Sequence, residues 1–300
     1  MEFHFMNAAG SCKQLADVEK LARSAVTEIT VGSITAEPRP GNSGNVFWDD
    51  GQGASLNSLG LPNGGLPYYR EHLLKMAGVA HGGHKKLRVS IAPFSPDEVE
   101  PLAQLAAEHM VDSIEVNLSC PNVWKGKVQK SVVGFDAALS AAYLDLALKS
   151  AGVVRPVWAK VPPYSDPSQL AAMAEAVTDL DTRYAGRIGI VACNTFPNGF
   201  AFDHGPKPAI TPNCGLAGVA GRAMKYIALG QVVQFRALLP PHIPVIGVGG
   251  IADGDDLADM LAVGAVGVQV NTAYTANGEN LRVFTDILHR YVERTAPAVE

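Results

Sequence analysis

The sequence predicts an α/β protein, a single (β/α)8 TIM barrel over residues 1–300 with inserted loops above its C-terminal face. Three observations carry this. Short runs rich in Val, Ile and small apolar residues alternate with longer stretches of helical periodicity, the pattern of a parallel sheet with crossover helices. Eight strands can be placed, and a helix can be placed after most of them. Eight such units plus a few insertions account for 300 residues.

In chain order, a strand at 3–8 precedes a helix at 12–24. The strand at 27–31 leads through an insertion at 35–65, rich in Gly, Pro, Asn and Ser, to a helix at 66–78. The strand at 87–92 feeds a helix at 97–110, and the strand at 112–118 reaches its helix at 134–151 through a second insertion, 119–133. Strand 156–161 pairs with helix 168–182, and strand 187–193 crosses a third insertion, 195–219, to helix 221–238. Strands 243–248 and 266–270 are followed by helices 254–263 and 279–294. A doubly wound open sheet would instead carry a Gly-rich turn directly after its first strand. Asn7-Ala8-Ala9-Gly10 matches that turn poorly. No stretch reads as an interdomain linker, an internal repeat or a low-complexity tract.

With 47% hydrophobic and 18% charged residues, the chain can bury a large core. The 24 Lys and Arg against 29 Asp and Glu give a charge of −5, which offers no general attraction for nucleic acid or anionic membranes. Cys12, Cys120, Cys193 and Cys214 form no C-x-x-C pair, so a disulfide framework and a zinc site are not expected, and four lone thiols suit the cytoplasm. The start, MEFHFMNAAG, lacks the pattern of a signal peptide, and no run of about 18 apolar residues predicts a membrane span. The eight histidines show no metal-ligand spacing, and the G-x-S-x-G elbow of a serine hydrolase is missing.

In a barrel of this kind the working residues sit at the C-terminal ends of strands. The fourth strand runs through Asn117 into Ser119-Cys120-Pro121-Asn122, the sixth ends at Asn194-Thr195, and the first insertion carries Asn57. Asn57, Asn117, Asn122 and Asn194 can converge on one pocket, where uncharged amides suit a planar heterocycle with alternating carbonyl and N–H groups. Turn capping is the commoner use of any single Asn. Cys120 lies in a polar, Pro-constrained loop that suits a reactive thiol, although free Cys is more often a small buried hydrophobe. Lys160 ends the fifth strand among core-like neighbours and needs a polar or anionic partner there; a surface lysine with a snorkelling stem is the alternative. Gly249-Gly250 after the seventh strand, and Asn271-Thr272 after the eighth, stand where barrel enzymes cradle phosphate. Gly215, Gly218 and Gly221 either admit a cofactor close to the backbone or serve as loop glycines.

Asn117-Leu118-Ser119-Cys120-Pro121-Asn122 and Asn57-Ser58-Leu59-Gly60-Leu61-Pro62-Asn63 resemble the dihydroorotate dehydrogenases, specifically the soluble class 1A enzymes. Lys160-Val161-Pro162-Pro163-Tyr164, Asn194-Thr195, Gly249-Gly250 and Gln269-Val270-Asn271-Thr272-Ala273 follow in the family's order, so that the similarity covers almost the whole chain. The resemblance implies an FMN-bound barrel that oxidises dihydroorotate to orotate in pyrimidine biosynthesis. It implies that Cys120 takes the C5 proton while hydride leaves C6 for flavin N5. Asn57, Asn117, Asn122, Asn194 and Thr195 would hold the substrate ring, with the Leu59-Gly60-Leu61 backbone at its carboxylate. Ala9, Gly10, Lys13, Gly32, Ser33, Asn117, Lys160, Gly218, Gly249, Gly250, Asn271 and Thr272 would bind the cofactor. The resemblance further implies fumarate as acceptor and a homodimer. Class 2 enzymes use a Ser base and an N-terminal extension for quinone, whereas this chain has Cys120 and starts at the barrel. Class 1B enzymes pair with an iron–sulfur subunit, and their counterpart of Gly60-Leu61-Pro62-Asn63 reads differently.

The chain also departs from class 1A. Where that class has a flavin-contacting lysine after the second strand, Thr30-Val31-Gly32-Ser33 follows the class 2 pattern, and Lys13 resembles the class 2 lysine, expected here to supply the missing charge. Thr211 and Asn213 stand at positions that are often lysine in class 1A. A flavin enzyme acting on another pyrimidine, or a non-catalytic flavin- or pyrimidine-binding barrel, remain the alternatives.

Overall fold

The computed structural model describes residues 3–125, 128–152 and 155–296. Eight parallel strands, β1 (His4–Asn7), β2 (Glu28–Ile34), β3 (Lys86–Ile91), β4 (Ser113–Asn117), β5 (Val157–Lys160), β6 (Ile188–Ala192), β7 (Val245–Val248) and β8 (Gly267–Val270), close into a barrel in chain order. Because a parallel sheet is covered on both faces, its strands read as nearly continuous apolar runs, which is why all eight stand out in the sequence. Around them lie α1 (Leu15–Leu21), α2 (Gly65–Gly82), α3 (Val99–Glu108), α4 (Ala137–Ser150), α5 (Pro167–Tyr184), α6 (Lys225–Leu238), α7 (Gly254–Ala262) and α8 (Arg282–Thr295), with a short helix Thr272–Thr275 directly after β8. Local chemistry fixes several starts. Asp166 accepts from the Ser168 N–H ahead of Pro167 in α5, Asp136 accepts from the Leu139 N–H of α4, and Asp253 accepts from the Asp255 and Asp256 N–H groups of α7. Each such cap contributes about 1 kcal/mol.

Two of the three insertions are more ordered than their Gly- and Pro-rich composition suggests. Residues 35–65 and 195–219 supply a four-stranded antiparallel sheet in the order Phe196–Gly199, Ala217–Gly221, Ala54–Asn57, Phe47–Asp49. The helix expected from 221 therefore starts later: Ala217–Gly221 is a strand, Arg222–Met224 a single turn, and α6 begins at Lys225. The strand Ala-Gly-Val-Ala-Gly has almost no side-chain signal of its own, and its partner lies far back in the chain. It becomes a strand because Ala54–Asn57 pairs with it and Leu56, Ile210 and Ala217 bury together. The second insertion, 119–133, contains a two-stranded ribbon, Trp124–Lys125 with Val128–Gln129. Among the described residues, no helix is long and apolar enough to cross a membrane.

The N-terminal end of the barrel is closed by charge. Arg88 Nε donates to Glu28 Oε1 at 2.9 Å, Ser113 Oγ donates to the same oxygen at 3.1 Å, and His4 Nδ1 lies 3.0 Å from Glu28 Oε2. The Arg88 guanidinium stacks over Trp158 with 4.5 Å to the ring centroid. Burial pushes the Glu28 carboxyl up, but the Arg88 charge and the bonds from His4 and Arg88 outweigh it and hold the group near about 2 against an ordinary 4.5. A depressed carboxylate stabilises the fold above its unfolded value, and that contribution disappears as pH falls from about 4.5 through about 2. Glu28→Gln is expected to lower stability at pH 7 by about 3–5 kcal/mol, since it leaves Arg88 buried without its counter-charge. It should also flatten the acid limb of the stability curve; urea unfolding between pH 3 and 7 checks both.

Candidate active site

Above the C-terminal strand ends lies a cavity of about 390 Å³. Its floor comes from Ala8, Ala9 and Gly10 after β1, Lys160 of β5, Cys193 and Asn194 after β6, and Gln269 of β8. Its roof is the accessory sheet, through Phe47, Ser55, Asn57 and Ala220. One end is formed by Gly249, Gly250, Asn271 and Thr272. At the other end a smaller chamber of about 70 Å³ shares Lys13, Asn57, Leu59, Lys160, Asn194 and Thr195 and adds Ser33, Gly60, Leu61, Asn117, Cys120 and Asn122.

The four asparagines converge on this chamber, and they are bonded to one another rather than serving only as separate turn caps. Asn122 Nδ2 donates to Asn57 Oδ1 at 3.0 Å, and Asn194 Nδ2 donates to Asn117 Oδ1 at 3.3 Å and to Ser119 Oγ at 3.0 Å. Asn117 Nδ2 reaches across to Ser33 Oγ at 2.9 Å, tying the end of β4 to the end of β2. The Gly60-Leu61 turn passes beside them with φ of 72° and 60°, and a Cβ at Gly60 would meet the Asn42 side chain at 2.6 Å. The position therefore requires glycine.

Cys120 faces the chamber from the loop after β4. Burial pushes its thiol up, while a backbone bond from Asn122 and the charges of Lys130 and Arg39 pull it back. Both cations lie over Phe94, at 4.0 Å and 4.8 Å from its centroid. The remaining thiols are differently placed. Cys193 backs the larger cavity but is buried and pushed up to about 12 by that burial, Cys12 is buried and raised well above the ordinary thiol value, also by burial, and Cys214 is exposed.

Lys160 is internal, not a snorkelling surface residue: its Nζ donates to Gln269 Oε1 at 2.8 Å and stands 3.5 Å from Glu115. Lys13 lines both chambers, its ammonium lowered by burial and raised by Asp17 and Glu279. Gly32 and Gly218 stand one layer behind the walls. At Gly32, φ is 118° and a Cβ would lie 2.3 Å from the Ser90 carbonyl oxygen, so no lysine fits there without moving two strands. A Cβ at Gly218 would lie 2.2 Å from Thr195 Oγ1. Of the glycines near Gly218, Gly221 is the one that reaches the cavity.

The cavity suits a flat, polar-edged ring with an anionic tail. Asn271 lines it with a buried Oδ1 that no protein group satisfies among the described residues, so it can accept from a ligand N–H or O–H. Gly249 and Gly250 have φ of 127° and 78° and bring bare backbone to its far end. The α7 terminus beyond them is already occupied by Asp253 and Asp256, so an anion there meets the glycine loop rather than the helix.

Residues 2–292 match the family model described as dihydroorotate dehydrogenase. The chain belongs to the dihydroorotate dehydrogenase family. Its relatives include the dihydroorotate dehydrogenase (fumarate) of Saccharomyces paradoxus, 33% identical over 91% of this chain and 84% of that protein. The dihydroorotate dehydrogenase A (fumarate) of Lactococcus lactis subsp. cremoris is 32% identical over 91% of this chain and 85% of that one. A dihydroorotate dehydrogenase from Eimeria tenella, solved with ferulenol, superposes with a TM-score of 0.78 at 17% identity, covering 97% of this chain and 82% of the other, and shares the barrel fold. Membership in this dehydrogenase family implies a flavin cofactor. Sequence reasoning passed over Ser55, Phe47 and Met224 on the cavity wall. Their only signal is membership in the first insertion and in the turn ahead of α6, which the accessory sheet draws over the barrel mouth.

Proposed function

We propose that this chain is a cytoplasmic, fumarate-type dihydroorotate dehydrogenase, a single FMN-binding domain that acts as a homodimer. The observation that carries the reading is the placement of Cys120 and four asparagines, bonded in two pairs, in one small chamber opening onto a larger, polar-edged cavity. Lys160 and Asn271 would hold the FMN ring, with Ala9, Gly10, Lys13, Ser33 and Asn117 along it and Gly249, Gly250 and Thr272 at its phosphate. Bound FMN supplies the hydride acceptor.

The chain's own residues do the rest. Asn57, Asn117, Asn122, Asn194 and Thr195 orient the substrate ring through uncharged hydrogen bonds, and the Leu59-Gly60-Leu61 backbone receives its carboxylate. Cys120, as thiolate, removes the C5 proton, and the Pro121 loop keeps the sulfur out of bulk water. Anaerobic titration tests this reading: dihydroorotate should discharge the flavin colour and fumarate should restore it. A protein that responds to uracil-type rings but not to dihydroorotate is a different pyrimidine enzyme, and one that responds to neither is a binding barrel.

A raised thiol pKa sets the pH dependence. The base works only when deprotonated, so flavin reduction should climb with pH and level off only above the ordinary thiol range of about 8.5–9. Lys130→Met removes one of the cations that favour the thiolate. It is expected to move the profile to higher pH and to slow reduction at pH 7 by roughly threefold. Stopped-flow reduction over a pH series measures both.

A further inference from the structure

The barrel lumen beneath the cavity holds a polar group in a setting that asks for none. Glu115 of β4, Lys160 of β5 and Gln269 of β8 are 0%, 4% and 1% exposed. Lys160 Nζ donates to Gln269 Oε1 at 2.8 Å and stands 3.5 Å from Glu115 Oε1, while Gln269 Nε2 donates to Glu115 Oε2 at 2.5 Å. The triangle closes across the lumen, because β6 and β7 separate β5 from β8 around the wall. Neighbouring lumen positions are filled by Met6, Trp158, Val191 and Ile246, so packing alone does not call for a carboxylate here. A buried ion pair is weak support for stability, and apolar residues of similar volume serve as well or better. Glu115 Oε1 has no hydrogen-bond partner, and the Lys160 ammonium is its cationic neighbour among the described residues. Lys160 and Gln269 line the cavity. The carboxylate lies behind them.

Resting on the reading of this cavity as the flavin site, we infer that Glu115 is a positioning residue: it aims the Lys160 ammonium and offsets its charge, and so sets how readily the bound ring accepts electrons. The sign follows from charge balance. The Glu115 carboxylate, 3.5 Å from the Lys160 ammonium, offsets part of its charge at the cavity floor. Without it, the floor is more positive, and an electron-rich reduced ring is favoured over the oxidised one at this low-dielectric site.

The test uses FMN-loaded full-length protein, with FMN content and the two-electron midpoint potential read by anaerobic titration against a reference dye. Glu115→Gln, which keeps the shape and removes the charge, is expected to hold wild-type amounts of FMN. Its flavin should favour the reduced form at least tenfold more than wild type, about 30 mV for two electrons. Glu115→Asp, with its carboxylate one methylene further from the ammonium, should shift the same way by at least twofold, and it carries the test if the Gln variant does not fold. A potential unchanged or lowered in a variant that binds FMN normally overturns the inference, even if its thermal stability has changed, since a structural role moves the melting point alone. A wild-type chain that takes up no FMN overturns the site reading itself, a failure that these variants cannot mimic.

Discussion

Cys120→Ala is expected to bind FMN and orotate as the wild type does and to reduce its flavin with dihydroorotate about 10²–10⁴-fold more slowly, the usual contribution of a positioned general base. The separation of binding from rate follows from the chamber's construction. The ring-binding amides are held by one another, through Asn122 to Asn57 and Asn194 to Asn117, and none of those bonds runs through the sulfur. No second thiol can take over. Cys193 is buried, pushed up to about 12 by that burial, and lines the larger cavity rather than the small chamber. Rapid mixing without oxygen, together with orotate binding by difference spectroscopy, measures the two halves separately. A variant that reduces its flavin at near wild-type rate means that another group takes the proton.

Gly250→Ala is expected to weaken FMN binding about 100-fold, equivalent to about 3 kcal/mol, while leaving the barrel folded. The residue has φ of 78°, and a Cβ there would lie 2.5 Å from Lys225 Cα and 2.6 Å from its backbone nitrogen. Lys225 cannot retreat easily, because its ammonium is bonded to Asp256 at 2.6 Å and Asp259 at 2.8 Å and so ties the start of α6 to α7. The loop must move instead, and it is the loop that would face the phosphate. Fluorescence titration of the apoprotein with FMN gives the affinity; an unchanged value would show that the anion is held elsewhere.

What the sequence could reveal follows from where the information lies. The eight barrel strands are short-range facts: each is buried and rich in Val, Ile or small apolar residues, and a helix follows it. The rule that chemistry gathers at strand ends then brings Asn117, Cys120 and Asn194 together, and Lys160 announces itself as a cation in an otherwise apolar strand. The accessory sheet was not legible, since Ala217–Gly221 becomes a strand only by pairing with Ala54–Asn57, far back in the chain. The Glu115–Gln269 bond was hidden for the same reason: it spans the lumen between residues that no local pattern links. The glycine at position 32 departs from class 1A in the sequence, but its cause, the Ser90 carbonyl oxygen 2.3 Å from any Cβ, is visible only in three dimensions.

The most direct test is a single anaerobic turnover, in which FMN-loaded wild-type protein is mixed rapidly with dihydroorotate and followed by flavin absorbance, with the products then analysed. The proposal predicts that the flavin bleaches and that orotate appears in one-to-one proportion to bound FMN. A flavin that stays oxidised, with no orotate formed, would contradict it.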